Sequence, residues 1–164
     1  MKQQRYDRAA TLGYAKKWAL GRNPAYFDFT NLGGDCTNFV SQCLYAGTGV
    51  MNDTPVTGWY YRSAGDRTAS WTGVEYLWRF LLSNRGPGPA GQICRPEEAQ
   101  IGDVLQLGDG AGRFYHAALV VQPGRDPLLA AHDNDAWNRP LSSYDFQAIR
   151  AVHIVTESQL TIGN

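Results

Sequence analysis

The chain has 164 residues, of which 43% are hydrophobic and 18% charged, with a formal net charge of zero. That length suits a single domain over residues 1–164 with a core of its own. A neutral chain with no basic run excludes nucleic acid and an anionic membrane surface as the main partner. No stretch approaches a transmembrane span. The opening Met1-Lys2-Gln3-Gln4-Arg5-Tyr6-Asp7 carries charge and no apolar run, so no signal peptide is expected and location stays open.

The three cysteines are an odd number. Cys36 and Cys43 fall on one predicted helix, roughly 10 Å apart along its axis, too far to bridge. No Cys or His spacing suggests a metal site, so free thiols are expected, with no metal and no cofactor.

The first predicted helix runs from Arg5 to Leu20, with Ala10, Tyr14 and Trp18 at fourfold spacing beside Ala15 and Ala19. Gly21-Arg22-Asn23-Pro24 ends it. An aromatic loop with Tyr26, Phe27 and Phe29 leads into Gly33-Gly34 and then Asp35-Cys36. Cys36, Phe39, Val40, Cys43 and Leu44 make one apolar helical face, with Asp35 as a natural N-cap and Gly47 as a natural stop. Cys36 therefore opens a helix, where free N–H groups and the dipole favour a thiolate. The same pattern also fits a buried, inert cysteine.

Residues 48–72 show no sustained period and read as a long loop. Its Trp59, Tyr60, Tyr61 and Trp71 either face a substrate or pin the loop to the core. A further helix is predicted over Thr72–Asn84, followed by the turn-rich 85–91. The period then changes. Strands are predicted over 102–107, 114–121, 128–131 and 151–156, the first two separated by a turn at 109–112 and the next pair by one at 122–127. Helices followed by an antiparallel meander make the chain α+β.

His116 lies near the start of the second predicted strand, and His132 closes the third. In a hairpin turning near Gly124, facing residue numbers should sum to about 248, as those of these two histidines do. That would place a general base beside the group that orients it. Asp133, Asn134 and Asp135 adjoin His132, and any of them could orient the base instead. His153 reads as structural, Asp103 as a turn residue, and Cys94 as incidental in a polar loop.

Gly-Gly-Asp-Cys-Thr-Asn-Phe-Val-Ser-Gln at 33–42 resembles the nucleophile motif of the "Putative amidase domain" family. Tyr6-Asp7-Arg8, Asn23-Pro24-Ala25-Tyr26, Gly58-Trp59-Tyr60, Ser70-Trp71-Thr72, Gly102-Asp103-Val104 and Phe114-Tyr115-His116 fit the same family in order. More distantly the chain is similar to NlpC-type and CHAP-type cell-wall peptidases. The resemblance implies a papain-like cysteine peptidase fold, with N-terminal helices packed on a C-terminal antiparallel sheet.

It also implies Cys36 as nucleophile, His116 as base, and His132 or Asp135 as third residue. Relatives often carry Thr after the residue matching His132, where this chain has Asp133. The oxyanion hole would use the Cys36 N–H with a donor from the 26–34 loop, Asn31 or Tyr26, while Trp59, Tyr60 and Trp71 would meet substrate. The implied activity is hydrolysis of a peptide or amide of the bacterial cell wall (peptidoglycan) type. An acyl transferase with the same residues, and a non-catalytic ligand-binding module on the same fold, are the alternatives.

Overall fold

A computed structural model describes residues 5–156, so Met1–Gln4 of the charged N-terminus lie outside the description. Helix α1 covers Arg8–Trp18 and is capped by Asp7, whose carboxylate accepts the Ala10 N–H at 2.9 Å. It starts three residues later than the sequence pattern indicates because the cap, not the apolar spacing, sets its first turn. Its buried line is Thr11, Ala15 and Ala19, while Tyr14 and Trp18 flank it half-buried. Small residues on that line let α1 lie close to α2, Cys36–Thr48.

Helix α2 is the centre of the molecule. Phe39, Val40, Cys43 and Leu44 have no exposed surface, and each large apolar side chain so buried contributes about 1.5–3 kcal/mol. The helix runs past Gly47 and stops at Gly49, in the left-handed conformation at φ 70°. Gly47 serves packing instead: a Cβ there would stand 2.1 Å from Thr11 Oγ1 and 2.5 Å from Tyr6 Cε1.

The expected long loop contains a hairpin of β1 (Tyr61–Ser63) and β2 (Asp66–Arg67), then the short helix α3 (Ala69–Thr72) before α4 (Val74–Ser83). Strand β3, Pro89–Cys94, occupies the segment whose Gly and Pro residues read as a turn. It is an edge strand that begins on proline, as edge positions allow. At Gly91 a Cβ would lie 2.2 Å from Val152 Cγ2, so the glycine permits the strand rather than breaking it. Cys94 ends this strand opposite Ala151 and is not in a loop.

Strands β4 (Val104–Gly108), β5 (Phe114–Gln122), β6 (Leu128–Ala131) and β7 (Ala136–Pro140) form an antiparallel meander. Strand β8, Ala148–Thr156, returns between β3 and β4, giving the order β3-β8-β4-β5-β6-β7. The chain is thus α+β with an antiparallel sheet. Ala117, Leu119, Val121 and Ala130 face the helices. Ala118, Val120, Leu129 and Ala131 face the other way, under Ala99, Leu141, Tyr144 and Phe146.

Asp103 is wholly buried and does more than turn the chain. It accepts from Arg8, the Ile154 N–H and the Gln100 N–H, and its Oδ2 lies 2.9 Å from His153 Nδ1. His153 is structural here, part of a knot that ties α1 to the sheet.

Candidate active site

Strand β6 ends at Ala131, and the chain turns through Asp133 and Asn134 at φ 35° and 53°. Amide direction alternates along an antiparallel strand. The Val120 N–H points toward Asp103 on the β4 side, so the Ala117 N–H points to the other side, where β6 has stopped. The Cys36 sulfur lies near enough to that N–H for it to draw the thiol down. The nucleophile candidate therefore abuts the peptide that joins His116 to Ala117. Cys36 is 7% exposed. Burial pushes its thiol up, the Ala117 N–H and Thr37 hydroxyl pull it back, and the Asp133 carboxylate pushes it up again. The net direction is upward, so the resting group at neutral pH is the thiol.

His116 sits at the open end of β5 with its ring centroid 5.7 Å from that of Tyr144. Its Nε2 is buried and has no hydrogen-bond partner among the described residues. Burial pushes this imidazole down, the Asp133 carboxylate pulls it up, and the Arg139 guanidinium pushes it down. A buried thiol and an imidazole with an unused nitrogen are the two kinds of group that a proton transfer from a nucleophile to a base requires.

Asp133 acts electrostatically on both groups. Its two carboxylate oxygens accept the Asp35 N–H at 3.0 Å each. Gly34 makes room for it: at φ +100° it carries no Cβ, and one would lie 2.7 Å from Asp133 Oδ2. The paired glycines before Cys36 thus serve the approach of this carboxylate as well as the turn.

The hairpin register departs from the sequence reading by one residue. Leu119 faces Ala130 and Val120 faces Leu129. The ladder ends at Ala131, and His132 and Asp133 lie in the turn beyond it. A shift of one residue exchanges the faces of a sheet, so His132 falls on the helix side and does not orient His116. Its Nδ1 lies 2.5 Å from Asp35 Oδ2 and its Nε2 2.9 Å from Trp18 O. Its ring stacks on Phe39 at 4.3 Å. Both nitrogens are occupied, and the residue is buried.

Asp35, in turn, makes no side-chain cap bond. Its Oδ1 accepts from the Phe29 N–H at 2.8 Å and Asn38 Nδ2 at 2.9 Å, and the buried carboxylate stitches the loop before Cys36 to α2 and β6. Asp135 is held by Arg22 at 2.8 and 3.0 Å, a pairing that takes both its oxygens away from either histidine.

The proposed aromatic contacts also divide. Trp59 and Trp71 have no exposed surface; Trp59 donates to Ser41 Oγ and Trp71 to Asn38 Oδ1. They pin the 48–72 segment to α2 and do not meet substrate. Tyr60 is half-buried, with Arg62 over its ring. Tyr26 packs on Tyr61 and Trp71. Asn31 is exposed in the turn before Gly33. Sequence reasoning gave no role to Tyr144 or Arg139. Arg139, in β7, stands 3.7 Å over the Tyr144 ring, and the Tyr144 ring lies 5.7 Å from that of His116.

Residues 5–155 match the family described as "Putative amidase domain". The chain belongs to this family. It is 38% identical over 149 residues, 87% of the chain, to a Bacillus subtilis (strain 168) protein described as uncharacterized protein YhbB. The chain spans about half, 46%, of that curated relative's length. No solved structure matches it. Among the described residues, no cluster of three or more His, Cys, Asp or Glu could hold a metal ion, and no helix is long and apolar enough to cross a membrane.

Proposed function

We propose that the protein is a cysteine-dependent amidohydrolase on a papain-like fold, with Cys36 as nucleophile, His116 as general base and Asp133 as the third residue. The observation that carries the reading is the contact of the Cys36 sulfur with the peptide that follows His116, beside an imidazole whose Nε2 is buried and unpartnered. His116 takes the thiol proton as sulfur attacks the amide carbon. The tetrahedral oxyanion is met by the Cys36 N–H at the start of α2, where helix geometry leaves backbone donors free. The imidazolium passes its proton to the leaving amine, and an acyl-enzyme remains. Water, deprotonated by the same ring, releases the acid.

Asp133 takes the role first considered for His132 or Asp135. Its charge favours the imidazolium and opposes the thiolate, so it holds the resting proton on sulfur and supports its transfer once attack begins. The substrate class, a peptide or amide of the cell-wall (peptidoglycan) type, follows the resemblance of the motifs to cell-wall peptidases.

The test is hydrolysis of purified peptidoglycan fragments and of a panel of simple peptide amides, with the wild type and Cys36→Ala compared. Loss of all turnover in the variant supports the reading. Undiminished turnover in Cys36→Ala overturns it.

A further inference from the structure

Two buried polar atoms lack partners side by side in this fold: His116 Nε2 and Tyr144 Oη. Their rings are 5.7 Å apart and inclined by 33°. Leaving either atom unsatisfied costs about 1–3 kcal/mol, and one hydrogen bond or one shared water meets both needs. Tyr144 is not loose. Arg139 lies 3.7 Å over its ring, and that guanidinium is fixed by Ser143, through Nε to Oγ at 2.9 Å and Nη2 to the carbonyl at 3.0 Å.

We infer that Tyr144 is a positioning residue for His116: its hydroxyl is the partner of Nε2, met directly or across one water, so that the ring keeps its proton on Nε2 and turns the Nδ1 lone pair toward the Cys36 thiol. The inference rests on the proposed Cys36–His116 chemistry. A phenol suits the task because it accepts from Nε2–H in both the neutral and the charged ring. When Nδ1 takes the thiol proton, the Nε2–H bond strengthens and steadies the imidazolium, and nothing else need move. The groups that act on the ring are Asp133, just past the end of β6, Arg139 from β7, and the Tyr144 ring packed against it. Asp133 favours the charged ring and Arg139 opposes it, leaving the hydroxyl to fix the tautomer.

The test uses the full chain and two readouts. The first is the nitrogen NMR signature of the His116 tautomer. The second is the rate of Cys36 alkylation by iodoacetamide against pH. In the wild type the ring should carry its proton on Nε2, and alkylation should show a shoulder on the acid side that reports neutral His116. His116→Ala should abolish that shoulder. Tyr144→Phe keeps the ring under Arg139 and removes only the hydroxyl. It should mix the tautomers and lower the shoulder about tenfold, a fraction of the ~10²–10⁴ that a positioned base contributes. A profile unchanged by His116→Ala overturns the catalytic pairing. A profile that responds to His116→Ala while Tyr144→Phe leaves both tautomer and rate unchanged overturns the role of Tyr144 alone.

Discussion

His116 lies near the start of β5 and His132 just past the end of β6, and the two have opposite fates. His132 is buried with both nitrogens used, one on Asp35 and one on Trp18 O. His116 is less buried, yet its Nε2 has no partner and the Cys36 sulfur lies against the next peptide. The satisfied histidine holds the fold, and the other keeps a ring nitrogen unused. Hydrogen-bond satisfaction separates the two where residue type and strand position do not.

Substitutions should make the contrast sharper or break it. His116→Ala should lower kcat/KM by ~10²–10⁴ with a smaller loss of Tm than His132→Phe, since the ring gives up at most the one bond to Tyr144; a large Tm loss at unchanged activity would reverse the roles. His132→Phe should do the opposite. It takes one hydrogen-bond partner from the buried Asp35 carboxylate, which costs about 1–3 kcal/mol, and thermal unfolding should report a Tm lower by several degrees.

Asp133→Asn removes a charge that raises both groups. The Cys36 thiol and the His116 imidazole should both titrate lower, and turnover should fall about tenfold as the base weakens. The pH profile of kcat/KM reads this directly.

The smallest effect concerns acid stability. The His116 imidazole is pushed below its ordinary value of 6.5. Below that pH the unfolded chain binds a proton that the folded ring resists, so stability falls with falling pH until the folded ring titrates too. His116→Ala should remove this part of the slope between neutral and acid pH in urea titrations, and an identical slope would contradict it.

Much of the frame was legible in the sequence. Period 3.6 with Gly-Gly-Asp before it marked α2 and its Cys36, and the β4, β5 and β6 segments followed from alternation and turns. Strand β3 escaped because Gly91 and its proline neighbours carry no strand propensity; it pairs through close backbone approach to Val152. The pairing of His132 with His116 was misplaced for one physical reason. Turn chemistry near Gly124 fixes register only to within a residue, and one residue decides which face a histidine takes. Asp35 read as a cap because short-range rules cannot see His132, which lies 97 residues away. Tyr144 and Arg139 had no local signal at all.

The most direct measurement is the competition of the three free thiols for a limiting alkylating reagent at neutral pH, read by peptide mass spectrometry. Burial pushes Cys43 well up and Cys94 up to about 11. Cys36 is also raised, so its reactivity must come from a neighbour that takes its proton. The account predicts that Cys36 is labelled first although Cys94 is more exposed, and that His116→Ala abolishes the preference while His132→Phe, so long as it stays folded, does not. Labelling of Cys94 ahead of Cys36, or a Cys36 rate indifferent to His116, would contradict the account.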